Sequence, residues 1–320
     1  MVTEWAGEKN DKTNERNSPC SCGASLWGGS GAAAQYLFEQ TGITTSWLVA
    51  VRLLLAGIVL TTVSLLKTPQ QVRRIVSNRR HLVSLIGFAL LGMLNSQLTY
   101  FLAVKYSNAP TATVIQYLQP VIIIIWLAIA QRQWPRRIDC ISIIIALIGT
   151  FLLVTGGHLG TLALTPAAIF WGLWCAVAAA LYTLLPRPLL AKFDALAVCG
   201  LAMLLSGIGM LPEIIIHRLP SLSLMGWLLV AYIVVFGTMF SYTMFLQSMR
   251  YISPAVTGIL SAFEPLVATF LAVTLLGTRL TGAAIVGSLL ILLTTLLQSI
   301  PSNYYQRIFF LTGKHKTKTK

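Results

Sequence analysis

The sequence predicts an all-α membrane protein of about ten transmembrane helices, arranged as a 5+5 inverted-topology repeat. Three observations carry that expectation: composition, the spacing of apolar runs, and identities between the two halves at a fixed offset. Of 320 residues, 56% are hydrophobic and only 10% are charged. A soluble globular chain carries about 25% charged residues. A water-soluble fold of this size has no means of hiding so much apolar surface, so lipid must be the solvent for most of the chain.

A helix needs ~20 apolar residues to cross ~30 Å of hydrocarbon. Taken in order, the runs that meet this lie near 22–40, 46–66, 82–104, 110–130, 138–156, 165–185, 195–216, 225–247, 254–275 and 281–299. Short connections make neighbouring spans antiparallel. The first span is the weakest, being rich in small residues and glycine, and residues 1–21 before it read as a polar cytoplasmic segment. Those first residues contain no apolar core, so no cleavable signal peptide is expected. Residues 301–320 read as a basic cytoplasmic tail.

The net charge of +14 raises nucleic acid as a partner, but the placement of the charges argues against it. Three Lys or Arg precede residue 17, five lie between Lys67 and Arg80, three between Arg132 and Arg137, then Arg187, Lys192 and Arg250, and five from Arg307 onward. Only Lys105, Arg218 and Arg279 fall in the alternate loops, and Arg52 lies inside a span. Cytoplasmic loops hold the excess of Lys and Arg, so both termini are expected in the cytoplasm, and the tail is expected against anionic inner-leaflet lipid. The five cysteines show neither a redox nor a zinc spacing; no metal and no cofactor is expected.

The halves correspond. Lys105-Tyr106 precedes the fourth run and Arg250-Tyr251 the ninth; Pro120 lies in the fourth and Pro265 in the ninth, both at an offset of 145. The same offset carries Gln116 onto Ser261 and Gln119 onto Glu264, while Trp27-Gly28 matches Trp171-Gly172 at 144. A unit with an odd number of spans enters the membrane upside down when repeated. That architecture recurs among secondary transporters, because two pseudo-equivalent halves can exchange conformations.

Several motifs resemble the EamA-type carriers of the drug/metabolite transporter superfamily. They are Leu26-Trp27-Gly28-Gly29-Ser30, Val51-Arg52-Leu53-Leu54-Leu55-Ala56, Tyr117-Leu118-Gln119-Pro120, Phe263-Glu264-Pro265-Leu266 and Leu275-Leu276-Gly277-Thr278-Arg279-Leu280. Three departures stand out: the first helix lacks the usual apolar lead-in, Gln131-Arg132-Gln133-Trp134-Pro135 stands where that pattern more often has Gly-Glu-Arg, and Thr278 stands where it has Glu. The resemblance divides the chain into EamA-like repeats at 22–156 and 157–300. It implies export or exchange of a small-molecule substrate, such as an amino acid or related compound, without naming one.

Glu264 is the most informative single residue. It lies about ten residues into its span, roughly 15 Å deep at 1.5 Å per residue. A carboxylate there costs roughly 2.5–3.5 kcal/mol on insertion scales, and such residues face a cavity or a partner. Thr257, Ser261 and Glu264 share one helix face, and Gln116 and Gln119 form the matching face of the fourth span. Glu264 is a candidate for binding a substrate amine, for exchanging protons as coupling ion, or for a structural pairing with Arg52. Arg52 itself either snorkels to the outer headgroups, neutralises Glu264 or binds an anionic group. Pro120 and Pro265 each remove a backbone donor and kink their helices, marking hinge candidates. Asn95 and Tyr100 on the third span, with Trp171, Trp174 and Tyr182 on the sixth, are further candidate pocket residues.

An enzyme is disfavoured: no HExxH occurs and the four histidines lie away from mid-span. No GxxxxGK[ST] loop is present, so ATP drive is not expected. A flippase for a lipid or lipid-linked precursor is the alternative reading, because the same fold would allow a groove open to lipid.

Overall fold

The computed structural model describes residues 2–132, 137–158, 162–216, 220–248 and 260–299. Every regular element among them is helical. In chain order these are α1 (Val2–Gln40), α2 (Thr45–Lys67), α3 (Pro69–Ser77), α4 (Arg79–Tyr106), α5 (Ala109–Ala130) and α6 (Arg137–Thr155). They are followed by α7 (Pro166–Leu190), α8 (Ala195–Gly209), α9 (Leu211–Ile216), α10 (Leu224–Met244), α11 (Phe263–Leu276) and α12 (Gly282–Ser299). Six of them, α2, α4, α5, α6, α7 and α10, are long and apolar enough to cross a membrane; α8, α11 and α12 are shorter and apolar.

Short polar turns start the helices with side-chain caps. Thr44 accepts from the Trp47 N–H, Asn78 from Arg80 and His81, Asn108 from Thr111, Thr165 from Ala168, and Asp194 from Leu196. Each cap satisfies a donor that the first helical turn leaves open.

Some boundaries differ from those the sequence suggested. One helix runs from Val2 to Gln40, continuous across the boundary expected at residue 21. The expected seventh span, 195–216, divides at Met210 into α8 and α9. The weak apolarity of the first span has a packing cause: Ser30, Ala32, Ala33, Ala34, Gln35 and Leu37 are all buried. This helix lies inside the bundle among α4, α5, α10 and α11, so small residues serve it better than lipophilic ones. On α6 the reverse holds, with Ile144 58% and Leu147 65% exposed.

Close approach replaces the hydrophobic effect as the packing force between helices in lipid. A Cβ on Gly28 would run into the carbonyl of Glu264 on α11. A Cβ on Gly149 would stand 2.8 Å from the Gly287 carbonyl, and one on Gly287 2.6 Å from the Gly149 carbonyl, so α6 and α12 cross backbone to backbone.

The contacts repeat when the halves are exchanged. α2 packs on its counterpart α8, and α6 on α12; α1 packs on α11 as α7 packs on α5, and α1 on α10 as α7 on α4. Local irregularities repeat too. α4 widens to a π-helix over Phe88–Leu94 and α10 over Val235–Phe240, while α5 is interrupted by a turn at Tyr117–Leu118 and the other half by a turn at Ala262. The Gln97 amide donates to the Tyr242 hydroxyl at 2.7 Å, and these two residues are themselves 145 apart. Equivalent positions touching each other lie at the pseudo-twofold axis.

Candidate substrate cavity

A cavity of about 400 Å³ lies between the halves. Its walls come from α1, α2, α4, α5, α7, α8, α10, α11 and α12. Of the residues singled out in the sequence, Glu264, Ser261, Gln116, Gln119, Tyr100, Tyr182, Arg52 and Pro120 line it. Thr257 lies outside the described residues. Pro265 is buried behind Glu264 in the first turn of α11.

Asn95, Trp171 and Trp174 are not among the residues that line this cavity. The reason is helical phase. On α4 the wall is made by Ser96, Gln97 and Tyr100, and on α7 by Ala179, Tyr182, Thr183 and Pro186. Asn95 and Trp174 point to the neighbouring side, where the indole N–H donates to the amide oxygen at 3.2 Å. Trp171 packs edge-on against Phe170 with centroids 5.0 Å apart.

Arg52 does not snorkel. It is 3% exposed, and its Nε donates to Thr238 Oγ1 at 3.1 Å and Nη2 to the Gly237 carbonyl at 3.4 Å. The guanidinium also lies 4.8 Å from the Phe101 ring centroid. The carbonyl it reaches belongs to the widened part of α10, where π geometry displaces the regular acceptor pattern. The other half has the corresponding clamp: Ser206 on α8 donates to the Ala89 carbonyl, in the widened part of α4, at 2.8 Å. Each π segment is therefore held by a polar side chain from the opposite half.

The cavity floor is aromatic. Trp27 meets Tyr242 edge-on at 5.0 Å, and Tyr182 lies 6.4 Å from Tyr242 and 5.7 Å from Phe88. Tyr100 shares a hydrogen bond with Thr113 at 3.0 Å, and Gln119 donates to Thr183 across α5 and α7. Tyr117 reaches the opposite half, donating its hydroxyl to the Ser261 carbonyl at 2.5 Å beside the Glu264 side chain. Unused polar capacity remains, since Ser30 Oγ and Gln116 Oε1 are buried without a partner. Tyr100 and Tyr242 each lie within electrostatic reach of both Arg52 and Glu264. A guanidinium and a carboxyl group thus share one chamber with phenols between them.

Trp27, Tyr117, Gln97, Tyr242 and Thr183 are wall residues that sequence reasoning did not single out as a site. For two of them a signal existed: Gln97 and Tyr242 fall at the 145 offset, which places them together on the axis. Tyr117 stands within one of the motifs, where only its neighbours Gln119 and Pro120 were given a role.

The model of the EamA-like transporter family matches residues 20–155 and again residues 166–300. The chain belongs to this family. It carries two EamA units and is a multi-pass membrane protein. An uncharacterized inner membrane transporter of Salmonella typhimurium, YicL, is 40% identical over 281 residues, covering 87% of this chain and 93% of that protein. A crystal structure of a protein with 19% identity superposes with a TM-score of 0.56, covering 89% of this chain and 98% of the other; at that identity it speaks for the fold alone. The cavity lies where the two EamA units meet, with α5 and α11, the interrupted and proline-bearing helices of each unit, facing across it.

Proposed function

We propose that this EamA-like transporter is a secondary carrier, an exporter or exchanger, of a small metabolite such as an amino acid or related compound. In this reading the chain makes ten spans as two five-helix units of opposite orientation, with both termini in the cytoplasm. Transport proceeds by alternating access around the cavity, with protons as coupling ion taken up at Glu264. The single observation that carries the reading is that both halves supply the chamber wall, each through a helix interrupted just before a proline, with one acidic side chain, Glu264, among the described lining residues.

The cavity extends along α7 to Pro186 and Leu190, beside Arg187 and Lys192. Those basic residues belong on the cytoplasmic side, so in this reading the state is inward-facing. The far end is closed by a hydrogen-bonded knot at Gln35, between α1, the start of α5 and the turn after α11.

The test is uptake into proteoliposomes from a panel of soluble metabolites, alongside a fluorescent lipid, with and without a pH gradient. The expected result is accumulation of at least one soluble compound that responds to the gradient, and loss of that response in Glu264→Gln. Unaltered pH dependence in Glu264→Gln removes the coupling role. Movement of the lipid without any soluble compound makes the protein a flippase instead.

A further inference from the structure

Pro265 has no N–H, so it offers no donor to the carbonyl of Ser261 one turn earlier. The hydroxyl of Tyr117, on the interrupted helix of the other half, donates to that carbonyl at 2.5 Å. The Glu264 side chain lines the same chamber, within electrostatic reach of that phenol. A phenol has one proton to give, a carboxylate only accepts, and a carboxylic acid both donates and accepts. The Tyr117 hydroxyl therefore cannot serve the Ser261 carbonyl and an ionised Glu264 at once.

We propose that Tyr117 is a positioning residue that transmits the protonation state of Glu264 to the backbone at the break before Pro265. With Glu264 protonated, its O–H is given to the phenol oxygen, and the phenol proton stays on the Ser261 carbonyl. When Glu264 releases its proton to cavity water, the carboxylate captures the phenol proton, because charge-assisted bonds are about twice as strong as neutral ones. The Ser261 carbonyl then loses the phenol and turns to the chamber as an acceptor for a substrate N–H or O–H. No covalent bond changes within the phenol; it rotates and keeps its proton. The proposal rests on the reading of Glu264 as a proton-exchanging group.

The device is one-sided. Pro120 likewise withholds a donor from Gln116, but the equivalent of Tyr117 is Ala262, which has no hydroxyl. The titratable groups around Glu264 are Tyr117 from α5, Tyr100 from α4, Cys175 from α7 and Tyr242 from α10. Cys20 on α1 faces Tyr117. On α2, Arg52 is turned to Thr238 and Gly237. Tyr117 stands between the carboxyl and the backbone at the break, with its hydroxyl on the Ser261 carbonyl.

The test needs no substrate: the probe is the proton. Infrared difference spectra between acid and alkaline buffer are recorded on the full chain in lipid vesicles, labelled either with ring-labelled tyrosine or with [1-13C]serine. In wild-type protein a tyrosine C–O shift and a serine carbonyl shift should appear at the pH where the carboxyl band of Glu264 disappears, and all three should vanish in Glu264→Gln. In Tyr117→Phe the carboxyl band should still titrate, with a shifted C=O frequency, while the tyrosine and serine signals are lost. The idea is overturned if wild-type protein shows no tyrosine shift with the Glu264 band, a result that requires no variant to fold. It is also overturned if Tyr117→Phe keeps the serine shift, or stops Glu264 titrating. If Glu264→Gln leaves every band in place, the coupling reading beneath it fails as well.

Discussion

Arg52 shows how a buried cation is held in an apolar bundle. Two hydrogen bonds to α10 and the ring of Phe101 fix the guanidinium. Hydrogen bonds involving a charged group contribute ~1.5–3 kcal/mol each. Arg52→Lys keeps the charge but gives up the planar fork that reaches Thr238 and Gly237 together. Its unfolding temperature in detergent should therefore fall clearly below wild type, and Arg52→Ala should fall further. An Arg52→Lys protein as stable as wild type would show that the charge alone matters at this position. Glu264→Gln makes the complementary point, because its expected effect is on pH response rather than on stability.

At the scale of the helix, glycine marks where backbones meet, and the consequences differ by position. Gly28 lies against the Glu264 carbonyl and the Ala268 N–H, so Gly28→Leu should separate α1 from α11, deform the chamber and abolish transport. Gly87, inside α4, borders open space, and a methyl group added there would meet nothing within 4 Å. Gly87→Ala should leave transport intact and add up to ~0.5–1 kcal/mol of helix stability; a matched pair of thermal melts and uptake assays checks both. The helices themselves were legible in the sequence because apolar runs report lipid contact. Where a helix is enclosed by protein, that signal fails, as it did along α1. The repeat was legible from Pro120, Pro265 and their neighbours, and it carried Gln116, Gln119, Ser261 and Glu264 to one chamber. The π segments were not, because they change helical phase without a residue signature. Asn95 and Trp174 lie off this cavity for a related reason: polarity on a span does not reveal which way the helix is turned. Tyr117 was missed because the carbonyl it serves, that of Ser261, lies on the other half, 144 residues away in sequence.

In the proposed alternating-access cycle, the end held shut at Gln35 has to open. The Gln35 knot is the part of this state that such opening must undo. Gln35 is 4% exposed; its Nε2 donates to Glu39 Oε1 at 2.8 Å and Thr278 Oγ1 at 3.1 Å, and its Oε1 accepts from the Ala109 N–H at 2.9 Å. One amide thus ties α1 to the first residue of α5 and to the turn that ends α11. Thr278, the position where the family pattern has Glu, supplies a neutral oxygen beside Glu39 in place of a second carboxylate. Gln35→Leu leaves the Ala109 N–H without this acceptor, and an unsatisfied buried group costs ~1–3 kcal/mol. That cost falls on the closed state and is relieved when water enters. At ~1.4 kcal/mol per tenfold, the balance should move about tenfold toward the outward-open form. Gln116→Cys, at a position whose amide oxygen has no partner, reports this in a background without the five free native cysteines. A membrane-impermeant maleimide added from outside should label it faster in Gln35→Leu than with Gln35 intact. Equal labelling rates would mean that the closed end is held by packing around α1 rather than by this knot.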